Sequence, residues 1–175
     1  QASVVVAASE DILATAAAGG SVHILNVSNP AAPVTLWSGN LDAPVGALAV
    51  NAGRVHAGRS DGRAVVLETN GQVLQHFDLG RGAVKRIEFA EGRMFVTTVS
   101  HLIVFDRNED GWQFAGEIQL TTGNLHPRLG GGLIIENGVA WAGFDSGGRA
   151  GLVSVDVSNP RSPAVIARST VAQPF

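Results

Sequence analysis

The chain has 175 residues, enough for one domain with a sizeable core, and its hydrophobic fraction of 45% excludes wholesale disorder. Only 15% of the residues are charged, the net charge is −3 and only Lys85 and Arg86 form a basic pair, which argues against binding nucleic acid through its phosphates or a membrane through a polybasic patch. There is no Cys, so disulfides, thiolate metal sites and Cys nucleophiles are excluded, and the longest apolar runs, Ser3–Ala8 and Ile12–Ala18, are too short to span a bilayer.

In chain order the sequence reads as sixteen short strands in four similar units. The first unit is predicted as strands over Val4–Ala8, Ile12–Ala16, Ser21–Val27 and Val34–Ser38. The second is predicted over Val45–Val50, Arg54–Ala57, Arg63–Thr69 and Val73–Leu79. The third runs over Val84–Phe89, Met94–Val99, His101–Asp106 and Gln113–Gln119. The fourth runs over Gly132–Glu136, Val139–Ala142, Gly151–Val157 and Ala164–Ser169. Each first-to-second connection holds a tight-turn sequence: Ser9–Asp11, Asn51–Gly53, Glu91-Gly92 and Asn137-Gly138. No segment shows sustained helical spacing with caps.

The units also repeat in sequence. Ser21–Val34 reads SVHILNVSNPAAPV and Leu152–Val165 reads LVSVDVSNPRSPAV. Their Asn-Pro pairs, at Asn29-Pro30 and Asn159-Pro160, lie 130 residues apart, or three periods of about 43, close to the period of a propeller blade. Between them, Arg63–Thr69 leads into the turn Asn70-Gly71, and His101–Arg107 leads into Asn108–Gly111. The expected fold is therefore all-β. It is a β-propeller of four blades with four antiparallel strands each, at about residues 1–39, 40–80, 81–122 and 123–175. Such a chain is either a closed four-bladed ring or part or half of a larger propeller.

The V-S-N-P-x-x-P turn and its preceding strand resemble bacterial propellers built from the LVIVP repeat. Val139–Pro163 follows that pattern closely, and Ile12–Pro33 follows it with a shorter loop. The second and third units keep the strands and lose Ser-Asn-Pro. The resemblance implies a propeller, commonly within surface or secreted bacterial proteins, and is nearly silent on function. An extracellular or periplasmic location is accordingly expected. So is a processed mature chain or an excised piece of a longer one, because the sequence opens at Gln1 without a leader.

Fold analogy nominates the loops leading into each blade and those between second and third strands as the functional face. From these loops the candidate ligand-binding residues are Asp42, Arg59, Asp61, His126, Arg128 and Asp145. Asp145–Arg149 is a glycine-rich loop with a single carboxylate, too few oxygens for Ca²⁺. Arg59 and Asp61 read as a local pair at a turn. Thr121–Gly132 is the least regular stretch, and His126 and Arg128 flank Pro127 within it. The five His have no metal-site spacing, and neither a nucleophile motif nor a phosphate loop occurs. Trp37, Trp112 and Trp141 are expected to pack blade against blade. No catalytic residue, metal or cofactor is assigned. The leading expectation is a non-catalytic module that binds a protein or cell-surface partner. One alternative is a propeller enzyme of the lyase or glycoside hydrolase type, with Asp42, His126, Arg128 and Asp145 converging over a central channel. The other is a structural element that self-associates through its terminal blades.

Overall fold

In a computed structural model, which describes residues 4–17, 19–120, 128–146 and 149–172, every regular element is a strand. The first sheet contains β1 (Val4–Ser9), β2 (Ile12–Ala17), β3 (Ser21–Asn26) and β4 (Val34–Asn40). The second contains β5 (Val45–Asn51), β6 (Arg54–Arg59), β7 (Arg63–Leu67) and β8 (Val73–Asp78). The third contains β9 (Val84–Ala90), β10 (Arg93–Thr98), β11 (His101–Asn108) and β12 (Gly111–Gln119). The fourth contains β13 (Arg128–Glu136), β14 (Val139–Ser146), β15 (Arg149–Asp156) and β16 (Ala164–Ala172). Each sheet is built from four consecutive strands in sequence order, antiparallel throughout, so each is one propeller-type blade.

The tight turns follow from backbone chemistry. All four first-to-second connections are two-residue hairpins. In three of them both central residues have positive φ: Ala52 and Gly53 (49° and 70°), Glu91 and Gly92 (53° and 74°), and Asn137 and Gly138 (52° and 73°). Two successive positive φ angles are the signature of the I′ turn, whose twist matches that of the flanking strands. The third-to-fourth connections use side-chain acceptors instead. Asn29 Oδ1 accepts the Ala31 N–H (3.2 Å), and Asn159 Oδ1 accepts the Arg161 N–H (3.2 Å), so the two V-S-N-P turns fold alike.

Two stretches differ from expectation. Arg128–Gly131 was expected as loop but forms the start of β13, with Arg128 opposite Asp145 and Leu129 opposite Phe144. Likewise Asp145 and Arg149 lie in β14 and β15, lengthening a hairpin that was expected to open into a loop. The glycines leave their mark as a register shift between Leu129 and Leu133, an irregularity of the kind glycine permits within a strand.

The chain divides into two compact units, residues 1–84 and 85–175, each holding two blades. The first unit's core joins Ala14, Ala16, Val22 and Ile24 of the first blade to Leu48, Val55, Ala57, Val65 and Leu67 of the second. The second unit's core joins Phe95, Leu102 and Val104 of the third blade to Leu133, Ala140, Ala142, Val153 and Val155 of the fourth. Both are apolar interfaces between sheet faces, the kind of burial that stabilises by about 25 cal/mol per Å². Outer strands reach further. A Cβ on Gly116 of β12 would collide with the Pro160 carbonyl and lie 3.1 Å from the Arg161 carbonyl carbon, so the third blade's edge rests on the fourth blade's Asn-Pro turn. Trp37 of β4 rests in the same way on Gly71, in the second blade's turn.

Candidate functional site

The first unit carries three nominated residues in its connections. Asp42 lies in the link from β4 to β5 with φ at 61°, and its N–H donates to Asn40 Oδ1 at 2.7 Å. Asn40 thereby shapes the link, with its Nδ2 donating to the Gly19 carbonyl at 3.3 Å. Arg59, at the end of β6, and Asp61 meet directly, Nη2 to Oδ2 at 2.6 Å. Asp61 Oδ1 also accepts the Arg63 N–H. Desolvation pushes the Asp61 carboxyl up, but the Arg59 hydrogen bond, the Arg63 N–H and the two guanidinium charges together hold it below the usual carboxylate range. Ser60 N–H donates to the Pro44 carbonyl at 2.8 Å, tying this turn to the link that holds Asp42. Arg59 and Asp61 thus pair through one guanidinium nitrogen while the buried Arg59 Nε has no hydrogen-bond partner among the described residues, and Asp42 owes its conformation to Asn40.

In the second unit, Arg128 and Asp145 are backbone partners across β13 and β14. His126 lies outside the described residues. Among the described residues no group of three or more His, Asp and Glu is placed to hold a metal ion. Of the other His, His23 shares a hydrogen bond with Ser38 Oγ (2.8 Å), His101 shares one with Ser100 Oγ (2.7 Å), and His56 is buried. The three Trp part ways. Trp112 is buried against Phe89 with the Arg107 guanidinium over its ring, and Trp37 joins the first unit's core, but Trp141 stands exposed where blade packing was expected.

A groove of about 320 Å³ lies in the second unit, lined by Arg86, Glu88, Phe89, Ala90, Leu133, Ile134 and Ile135. It joins the first strands of the third and fourth blades. Arg86 Nε and Glu88 Oε1 pair at 2.7 Å, and both side chains keep substantial contact with solvent. An ion pair beside apolar side chains can take an amphipathic group: the apolar wall covers its hydrocarbon, and the charges orient its polar end. Sequence reading nominated loops and so passed over this groove. The signal was the i, i+2 spacing of Arg86 and Glu88, which puts both side chains on one face of a strand.

Residues 147–170 match a family model of the LVIVD repeat. That segment of the fourth blade carries an LVIVD repeat. Its letters are Leu152–Asp156, LVSVD, the strand whose V-S-N-P-x-x-P continuation carried the resemblance noted above. The search of curated proteins found no match. Among solved structures the chain is similar to the computationally designed Ika8 protein, with a TM-score of 0.72 and 16% identity over 94% of this chain and 48% of that one. It is also similar to the β-propeller domain of Myceliophteria thermophila Cps50 (Swd1), with a TM-score of 0.72 and 10% identity over 95% of this chain and 58% of that one. A chain of a Mitotic Checkpoint Complex structure gives a TM-score of 0.74 and 10% identity over 94% of this chain and 52% of its own length. The architecture is that of a β-propeller, and the chain spans about half the length of these structures.

Among the described residues no helix is long and apolar enough to cross a membrane.

Proposed function

We propose that this chain is a non-catalytic β-propeller module that binds a protein partner. The carrying observation is the groove beside β9 and β13, where the Arg86–Glu88 ion pair stands next to Phe89, Leu133 and Ile135. A small apolar centre with a charged rim is the anatomy of a protein-binding hot spot. The fold supports the same reading by analogy, because a chain of similar architecture comes from a structure of a multiprotein complex. The Ala-, Gly- and Val-rich composition and the LVIVD repeat support an extracellular or periplasmic location in a bacterium.

The test immobilises the chain and the variants Arg86→Glu and Glu88→Lys, and compares the proteins each captures from the secreted fraction of the source organism. The reading expects a discrete captured protein whose retention falls at least tenfold with either substitution and is unchanged by Asp61→Asn. Capture indifferent to Arg86 and Glu88, or small-molecule turnover by the chain alone, overturns it.

A further inference from the structure

The groove of the second unit has a direction. Its walls are β9 and β13, and every residue that lines it belongs to that unit. At the hairpin end of these strands the walls are tied together. Glu91 Oε1, in the turn after β9, accepts the Gly138 N–H, in the turn after β13, at 3.1 Å. Ala90 and Ile135 lie nearest this tie, and Arg86 lies furthest from it along β9. Phe89 is held beside them by Trp112, with ring centroids 5.5 Å apart. The groove thus runs from an apolar end, bridged between the two blades, to an end that carries charge.

The fold uses only part of Arg86. Its Nε donates to Glu88 Oε1 at 2.7 Å, and its Nη1 and Nη2 make no hydrogen bond among the described residues. The two side chains share one face of β9, so the ion pair holds the guanidinium plane in place. The Arg86 side chain is 49% exposed and that of Glu88 32%, which makes the cation the more accessible partner. Nη1 and Nη2 together present the fork that binds a carboxylate through two parallel hydrogen bonds.

We infer that this groove takes the C-terminal residue of a protein partner, with its carboxylate on the Arg86 fork and its apolar side chain on Phe89, Leu133 and Ile135. The inference rests on the protein-binding reading above and names the part of the partner that enters. Three observations select a chain end. The groove of about 320 Å³ stands at the floor of the roughly 300–1,000 Å³ of ligand pockets, which suits one or two residues and not an extended strand. The tie between Glu91 and Gly138 blocks a segment that would run on past the hairpin end. The remaining donors of Arg86 complement a negative charge beside an apolar wall. A C-terminal Leu, Ile, Val or Phe carries both groups on one residue, whereas an internal Asp or Glu offers the charge without the apolar side chain. Capture of a terminal carboxylate is a recurring mode of peptide recognition.

Calorimetric titration of the full chain with an acetylated Gly-Ser peptide ending in Leu tests this. The comparisons are the same peptide amidated, the same peptide ending in Ser, and hexanoate. The free-acid Leu peptide is expected to bind at least tenfold more tightly than each of the other three. Arg86→Gln should bind acid and amide alike. Circular dichroism shows whether that variant folds, and the comparison of acid with amide on the wild type needs no variant. Equal binding of acid and amide, equal binding of Leu and Ser ends, or binding of no peptide overturns the inference. Hexanoate bound as tightly as the peptide would make this a site for small acids and overturns it too. The protein-binding reading fails separately. Capture from the secreted fraction that depends on Arg86 but survives carboxypeptidase treatment of that fraction removes the terminal-residue inference and leaves the reading standing. Capture indifferent to Arg86 and Glu88 removes the reading itself.

Discussion

Asn26 and Asp156 close the third strands of the first and fourth blades with the same pair of bonds. In each case the side-chain oxygen accepts the N–H of the Ser two residues on at 2.9 Å and its hydroxyl at 2.6 Å. The middle blades use the equivalent residue differently. Glu68 pairs with Arg54 at 3.2 Å and Asp106 with Arg93 at 3.0 Å, across to the start of the second strand. The choice follows from the partner: where Ile12 or Val139 stands opposite, there is no cation, and the oxygen turns to the Ser of V-S-N-P. The Ser158 hydroxyl and N–H hold the Asp156 carboxyl below the usual carboxylate range, with slight desolvation opposing them. A depressed folded value means the carboxylate contributes stability above the ordinary carboxylate range and loses it as pH falls through the folded value. Since Asn26 makes the same bonds without a charge, Asp156→Asn should leave the melting temperature at neutral pH nearly unchanged. It should also remove this residue's share of the acid-induced loss. Asp156→Ala should lower the melting temperature by a few degrees at neutral pH, with less difference from the wild type in strong acid. Thermal melts at neutral and strongly acidic pH check all three chains, and a large neutral-pH loss in Asp156→Asn would refute the equivalence.

At the scale of elements, the blades are more alike than their sequences. The pairing of third with fourth strand slips at one place in all four: between Ile24 and Leu25, Val66 and Leu67, Val104 and Phe105, and Ser154 and Val155. The extra residues are Leu36, Leu74, Ala115 and Ile166, three of them exposed large hydrophobics that would otherwise look misplaced on an edge. A bulge bends the outer strand and blunts it as a template for further pairing. Nothing in the residue types marks this slip, because alternation reports which face a side chain takes, not how two strands count against each other. The hairpins, by contrast, were legible. Asn137-Gly138 needed positive φ at both residues and has the two types that tolerate it best, whereas in Glu91-Gly92 only the glycine does. Gly116 shows what close approach adds. It has ordinary φ and lies mid-strand in β12, so only the three-dimensional contact with Pro160 and Arg161 explains it. Gly116→Ala should cost about 1–3 kcal/mol, since the added carbon meets backbone that cannot rotate away. A Gly-to-Ala change in an uncrowded strand would instead stabilise by about 0.4–1 kcal/mol. Urea unfolding decides between the two signs.

For the whole molecule, the low charge and the aliphatic sheet faces express one design, in which blades stack by apolar burial. The period and the two V-S-N-P turns made the four blades readable, because repetition at a fixed distance leaves a mark in any single sequence. The site was less readable. Arg59 and Asp61 read as a local pair at a turn, and they do pair, but that leaves the site elsewhere unmarked. The groove at Arg86 gathers residues from strands more than 40 positions apart, which no local pattern reports. Coverage of a face is also invisible in sequence, and Phe95 with Trp141 isolates it. Both are aromatic, and each lies two residues into the second strand of its blade. Phe95 is fully buried under the fourth blade, whereas Trp141 is open. Phe95→Ala should therefore cost about 3–5 kcal/mol at any protein concentration, through the cavity it leaves. In dilute solution Trp141→Ala should cost less than about 1 kcal/mol, as surface substitutions do. Chemical unfolding measures both losses, and a Trp141→Ala loss as large as that of Phe95→Ala would mean that the two aromatics are covered alike.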